Sequence, residues 1–354
     1  MPDTIQTVMV NVSVPYPVHT GGGLLDQAGA VIAKALDSRR CAVVTDSNVG
    51  PLYAQRVCRS LEGAGFTPLL YTFPAGEQSK NLNTYGKILE FFAENKITRS
   101  DFAIALGGGV TGDMAGFAAA TYQRGIDYIQ IPTTLLAASD SSVGGKTAVD
   151  LEAGKNLAGA FHQPRMVLCD TDTFNTLPEE VFADGVAETL KHGLIADAAF
   201  FRFLMDADIC RNIGVVVRRN VEIKAAVVGE DERERGRRKL LNFGHTLGHA
   251  IEKCSGYAVT HGHAVAIGMV LASRAAERLG FSPDGTLDAV LAACRRFHLP
   301  VECSYSAAEL YEAATGDKKR SGGAIDVVVL EEIGKAKTIR MDMDGLRHFT
   351  ECAL

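Results

Sequence analysis

The chain reads as a two-part protein: an α/β half built on a mostly parallel sheet, then a mainly α-helical half. Three observations predict this. The first ~150 residues alternate short β-branched runs with helical stretches, the βαβ rhythm of a parallel sheet. Beyond about residue 175 the apolar pattern lengthens into helical periodicity. The length of 354 residues also exceeds what one core serves, since single cores stop growing near roughly 250–300 residues.

Cys41-Ala-Val-Val-Thr45, Pro68-Leu-Leu-Tyr-Thr72, Phe102-Ala-Ile-Ala-Leu106 and Tyr128-Ile-Gln-Ile131 have the continuous apolar character of strands buried on both faces. Helical patterns separate them at 51–64 and 82–96. The segment Asp172-Thr-Phe-Asn-Thr-Leu-Pro178 breaks the rhythm. The expected domains are therefore 1–175 and 176–354. Pro178 sits at a helix start, where its missing N–H costs nothing. Helical periodicity continues through 198–229, 237–254, 263–279 and 285–297. Ile325-Asp-Val-Val-Val-Leu330 and Lys335-Ala-Lys-Thr-Ile-Arg340 form a small hairpin at the end.

Composition narrows the classes of function. At 47% hydrophobic and 22% charged, the chain matches ordinary globular proteins. A net charge of −6 argues against nucleic acid or an anionic membrane as the main partner. An anionic substrate would have to be held by local basic residues. Met1-Pro-Asp-Thr-Ile-Gln6 lacks a basic stretch leading into an apolar run, so no signal peptide is expected. No run of about 18 uncharged apolar residues suggests a membrane span. The eight cysteines are scattered without a CxxC, the usage of free thiols in a reducing cytoplasm.

Four of the nine histidines fall between His245 and His263. His245 and His249 stand at i and i+4, one helical face, with Asn242 three residues earlier on that same face. His261 and His263 follow a helix stop at Cys254-Ser-Gly-Tyr257. One helical imidazole, a second from the next element and a third ligand from elsewhere is what a divalent metal needs. Two core and two loop histidines are the plainer alternative, and their clustering with a polar Asn weighs against it.

Gly107-Gly-Gly-Val-Thr-Gly112 matches GxGxxG after a strand, although not the first strand of its sheet as in an ordinary dinucleotide fingerprint. Glycine there lets backbone N–H groups approach a pyrophosphate at a helix N-terminus. Asp46, with Asn48 beyond it, ends an earlier strand and suits ribose hydroxyls. A tight turn without ligand is the other reading. Gly144-Gly-Lys-Thr147 looks like the end of a P-loop, but Asp140 stands where that loop requires glycine, so a nucleoside-triphosphatase reading fails. Asp140, Lys146, Lys155 and Asn156 instead make a polar stretch after the last expected strand. The charge run Glu230-Asp-Glu-Arg-Glu-Arg-Gly-Arg-Arg-Lys239 is most simply a solvated loop and helix start.

Taken in order, the motifs resemble those of the 3-dehydroquinate synthase family, within the sugar phosphate cyclases. They are Pro74-Ala-Gly-Glu-Gln-Ser-Lys80, Gly107-Gly-Gly-Val-Thr-Gly-Asp113, Ile131-Pro-Thr-Thr-Leu-Leu136 and Asp140-Ser-Ser-Val-Gly-Gly-Lys146. Gly154-Lys-Asn156, Ala187-Glu-Thr-Leu-Lys191, Leu241-Asn-Phe-Gly-His-Thr246, His261-Gly262 and Asp317-Lys-Lys319 follow. The resemblance implies an NAD-binding α/β domain, a helical metal domain and an active site in the cleft between them. It implies conversion of 3-deoxy-D-arabino-heptulosonate 7-phosphate, a sugar acid phosphate, to 3-dehydroquinate and phosphate, with NAD⁺ recycled and Zn²⁺ or Co²⁺ bound.

The resemblance also implies residue roles. Glu188, His245 and His261 become the metal ligands, and two imidazoles plus a carboxylate suit a catalytic zinc. His249 is then a neighbour that handles protons beside Asn242. Lys224 and Arg238 match the carboxylate clamp, where arginine's planar fork suits a two-point contact. Lys146, Asn156 and Lys318 or Lys319 match the phosphate clamp, and Asp140, Lys155 and Lys191 complete the polar ring. Arg124 matches an arginine that reaches the site from a second subunit, implying a homodimer. The nucleotide positions are Asp46, Asn48, Glu77, Lys80, Gly108, Gly109, Val110, Asp113, Thr133, Thr134, Leu136 and Thr176, together with Lys146 and Lys155. The chain departs from the family at His263, where glutamate is usual, which bears on how His261 is oriented. The competing readings are a sister cyclase lacking the carboxylate clamp, a metal-dependent alcohol or glycerol dehydrogenase, and a catalytically silent NAD sensor.

Overall fold

The computed structural model describes residues 5–315 and 323–354. The chain runs β1 (Gln6–Val10), β2 (Tyr16–Gly21), α1 (Leu24–Ile32), β3 (Arg40–Asp46), α2 (Gln55–Gly63), β4 (Thr67–Phe73), α3 (Leu82–Glu94), β5 (Phe102–Gly107) and α4 (Gly109–Thr121). It continues through β6 (Asp127–Pro132), β7 (Lys146–Leu151), β8 (Gly154–Phe161), β9 (Met166–Asp170), α5 (Glu179–Ala196), α6 (Ala198–Asp206) and α7 (Ile213–Glu230). The remainder is α8 (His245–Cys254), α9 (His261–Arg278), α10 (Thr286–Arg296), α11 (Ala307–Thr315), β10 (Ala324–Glu332), β11 (Lys335–Asp342) and α12 (Met343–Ala353). Two compact units result: residues 1–177 with 213–233, and residues 178–212 with 234–354.

The first unit is organised by a sheet of order β1-β2-β9-β6-β5-β3-β4. β1 and β2 pair antiparallel, and the other pairs are parallel. The strand period of two divides the core between the faces. Cys41 and Val43 pack with Leu25, Ile32, Val57 and Leu61 of α1 and α2, whereas Ala42 and Val44 pack with Ile88, Phe92, Met114 and Ala118 of α3 and α4. From β3 the chain passes to β4 on one side, then to β5 and β6 on the other. The carboxyl ends of β3 and β5, at Asp46 and Gly107, therefore flank a topological switch point, where open parallel sheets bind ligands.

β9 lies between β2 and β6, so β6 is not the last strand of the sheet. Its end is anchored by Asp170, whose buried carboxylate accepts from the backbone N–H groups of Gly23, Leu25 and Asp172 at 3.0, 2.8 and 3.1 Å. Removing this acceptor leaves the buried Leu25 N–H unsatisfied and loosens the Gly23 and Asp172 turns. Asp170→Ala is expected to cost about 1–3 kcal/mol or more. Urea unfolding would show this as a lower midpoint with an unchanged slope.

Helix α7 differs from the sequence expectation, which grouped it with the second half. It packs on β1 and β2 and belongs to the first unit. The expected helix over 198–229 is interrupted between Asp206 and Ile213. In the second unit α5, α8, α10 and α12 pack around α9, and the β10–β11 hairpin closes one side. The expected helix over 237–254 is also two pieces. Residues Arg237–Asn242 form a short 3₁₀ turn, Phe243 is extended, and Gly244 takes φ 79°, a left-handed conformation that glycine adopts without strain. Helix α8 therefore begins at His245, and Asn242 does not share its helical face.

Candidate functional site

In the first unit the nucleotide-type residues gather at the switch point. Asp46 Oδ1 accepts from the N–H groups of Asn48 and Val49 at 2.8 and 3.0 Å, and its Oδ2 accepts from Thr111 at 3.2 Å. Gly108 precedes α4, and Gly109 and Val110 form the first turn of that helix, so its N–H groups open beside the β3 and β5 ends. A methyl group added to Gly108 would lie 3.2 Å from Thr134, so only a bare backbone fits between them comfortably. Thr133 donates its N–H to Gly107, and Leu136 leads the turn that carries Asp140. Thr176 meets the Tyr53 hydroxyl at 2.5 Å.

A second group of polar residues surrounds Lys80. Its buried ammonium lies 2.6 Å from Asp113 and 2.5 Å from the Asn156 side chain. Burial alone would lower this amine's pKa, but the carboxylates of Asp113 and Glu77 outweigh it and raise it. Lys155 pairs with Glu77 at 3.5 Å, and Asn156 sits at φ 56° with its N–H on Asp150. Lys224, brought here by α7, is buried and bonds both the Asp140 carboxylate (2.8 Å) and its carbonyl (2.6 Å). Lys146 is exposed at the start of β7, and Arg124 is exposed in a turn at φ 71°. Lys318 and Lys319 lie outside the described residues.

In the second unit Glu188, His245 and His261 come from three helices, and one ligand atom of each lies within 4.8 Å of the others. Glu188 is wholly buried on α5, and its Oε1 is 3.5 Å from His245 Nε2 and 3.3 Å from His261 Nε2. His245 Nδ1 donates to the Phe243 carbonyl at 3.1 Å, which leaves the Nε2 lone pair facing the carboxylate, the tautomer a metal requires. Burial and the adjacent Lys191 hold His245 well below the usual histidine range, hence neutral. At His261 burial opposes the charge, but the Glu188 and Glu252 carboxylates prevail and raise it to about 10. A cation is thus favoured at this carboxylate, and the donor set fits a divalent ion of zinc type. Lys191, one turn after Glu188, pairs with its Oε2.

His249 lies beside this group without belonging to the triad. Its ring is 5.2 Å from that of His245 and 5.9 Å from that of His261, and its side chain is 60% exposed. Asn242, at the end of the 3₁₀ turn, donates to Glu234 at 2.8 Å. Arg238, in the same turn, is buried. Sequence reasoning overlooked Glu252, whose buried carboxylate is 3.6 Å from His261 Nδ1 and 3.9 Å from His249 Nε2. Its place seven residues after His245 and three after His249, on one helical face, was the available signal.

Comparison with known proteins extends the likeness over the whole chain. The family model described as 3-dehydroquinate synthase N-terminal matches residues 70–184, and that described as 3-dehydroquinate synthase C-terminal matches 185–320. The chain is 47% identical to a 3-dehydroquinate synthase of Caulobacter vibrioides, covering 98% of each chain. Among solved structures it is similar to 2-epi-5-epi-valiolone synthase of Streptomyces hygroscopicus with NAD⁺ and Zn²⁺ bound, at 28% identity, TM-score 0.85 and 97% of each chain. It is also similar to 2-deoxy-scyllo-inosose synthase complexed with carbaglucose-6-phosphate, NAD⁺ and Co²⁺, at 25% identity and TM-score 0.88, covering 98% of this chain and 99% of that one.

Proposed function

The chain belongs to the 3-dehydroquinate synthase family, and from that premise we infer that it converts 3-deoxy-D-arabino-heptulosonate 7-phosphate to 3-dehydroquinate and phosphate. This is a carbon-ring-forming lyase step of the shikimate pathway towards aromatic amino acids. The observation that carries the reading is the relatedness itself. Identity to a dehydroquinate synthase is 47% over nearly both entire chains, against 25–28% to cyclases of other sugar phosphates. Fold alone would not separate those substrates.

When bound, a divalent ion and NAD⁺ supply Lewis acidity and a hydride acceptor that is restored by the end of the cycle. The chain's own residues do the rest. Glu188, His245 and His261 hold the ion. Asp46 and the Gly108–Val110 turn receive the nucleotide. Thr133, Thr134, Leu136 and Thr176 line its remaining positions, with Glu77, Lys80 and Asp113. His249, exposed next to the metal triad, moves the proton of the reacting hydroxyl. Lys146, Asn156 and a lysine at 318 or 319 bind the substrate phosphate. Arg238 and Lys224 bind its carboxylate, Asp140 pairs with Lys224, and Lys155 and Lys191 complete the polar ring. We also place the enzyme in the cytoplasm as a homodimer, in which the exposed Arg124 serves the second subunit's site.

The experiment follows phosphate, dehydroquinate and nicotinamide absorbance together after the heptulosonate phosphate is added to enzyme with NAD⁺. Phosphate and dehydroquinate should appear in equal amounts with no lasting growth of NADH. Stoichiometric NADH accumulation would instead identify a dehydrogenase.

A further inference from the structure

We propose that Asp184 is a positioning residue for the metal centre: from helix α5 it caps helix α9, and so fixes His261 opposite Glu188. The inference rests on the metal reading given above. Asp184 and Glu188 stand at i and i+4 on α5, one turn apart on one face. Helix α9 begins at His261, and its own N-cap residue, Thr260, makes no side-chain capping bond. A helix start leaves backbone N–H groups without intrahelical partners. Here the missing acceptor comes from the neighbouring helix. Asp184 Oδ1 accepts from the His263 N–H at 3.0 Å and from the Thr260 hydroxyl at 2.6 Å.

Two further features make this contact a latch. A methyl group on Gly262 would lie 2.3 Å from Asp184 Cα, so the two backbones touch and only glycine permits it. The Thr260 hydroxyl gives its one proton to Asp184 and therefore accepts from His263 Nδ1 at 2.8 Å. That assigns a use to the departure from the family at position 263. An imidazole can donate to Thr260, whereas a carboxylate could not, and it would stand near Asp184 and Glu180, each 3.9 Å from Nδ1. The latch lies one residue before His261 and two after it on α9, and one turn before Glu188 on α5. A slip between these helices would move His261 Nε2 directly against Glu188 Oε1.

The test measures zinc affinity of the full-length protein by chelator competition, with NAD⁺ affinity and melting temperature on the same samples. Asp184→Ala removes both accepted bonds and should weaken zinc by about 10- to 100-fold, as loss of outer-shell partners does, while NAD⁺ affinity stays within about twofold. Asp184→Asn retains an oxygen for the same donors and should recover zinc affinity to within roughly threefold of wild type. Thr260→Val, which keeps shape and loses the hydroxyl, should fall between them, and it decides the matter if Asp184→Ala does not fold. Zinc affinity unchanged in Asp184→Ala or in Thr260→Val overturns the proposal. So does a parallel loss of zinc and NAD⁺ affinity, which marks a merely structural residue. His245→Ala serves as control: if it binds zinc normally, the metal reading itself is wrong, whatever Asp184 does.

Discussion

Glu188→Gln, His245→Ala and His261→Ala are each expected to lose most of the bound metal, and turnover should fall with it. Lewis-acid stabilisation is worth several kcal/mol, so the expected loss in rate is at least about 100-fold. Dialysis against a strong chelator should do the same to the wild type, and zinc or cobalt should restore it. His249→Ala is the informative contrast. It should keep its metal by elemental analysis and still lose about 10²–10⁴ in rate, the usual effect of removing a general acid or base. The contrast is needed because His249, Glu252 and His261 also approach closely enough to hold an ion, and His261 is common to both sets. Two features favour Glu188 over His249 as the third ligand. Glu188 is wholly buried between the two imidazoles, whereas His249 is largely exposed. The fixed tautomer of His245 also points its lone pair at Glu188. Equal metal loss in His249→Ala and His245→Ala would reverse the assignment.

Much of this candidate site was legible in the chain because Glu188, His245 and His261, which the structure brings together, each sit in a short motif. The spacing of His245 and His249 is helical and the structure agrees, yet spacing alone would have made both of them ligands. Only burial and the third partner, Glu188 from a distant helix, separate them. Asn242 misled for a local reason. Its position three residues before His245 fits a helix, but Gly244 at φ 79° ends the 3₁₀ turn before α8 begins. Periodicity shows that a segment buries a face and does not show against what. Helix α7 therefore read as part of the helical half, although it packs on β1 and β2 and carries Lys224 to Asp140. Of the strands that went unrecognised, β1 and β8 lack a continuous apolar run, whereas β9, with Met166-Val-Leu-Cys169 wholly buried, has one and was missed all the same. β1 is largely exposed, and β8 alternates between half-buried and exposed positions. The buried strands β3, β5 and β6 were plain.

Arg238→Lys is expected to lower catalytic efficiency on the heptulosonate phosphate by roughly ten- to a hundredfold, the worth of one charge-assisted hydrogen bond at ~1.5–3 kcal/mol. The charge is kept, and what is lost is the planar fork that holds a carboxylate at two points. The side chain is 2% exposed, so its bonds form away from competing water, and a lysine there cannot recover the geometry by solvation. Zinc content should not change, which distinguishes the effect from damage to the metal triad. Since the lost contact is to the substrate, a carboxylate-free analogue should bind the wild type poorly and be nearly indifferent to the substitution. The same pair of substrates separates this enzyme from its sister cyclases, which share the fold at TM-scores of 0.85–0.88. A clamp built for a carboxylate gains nothing from a substrate that lacks one and so discriminates against it. If the wild type cyclises a carboxylate-free sugar phosphate as efficiently as the heptulosonate, Arg238 is not a clamp, and the substrate belongs with those of the sister cyclases.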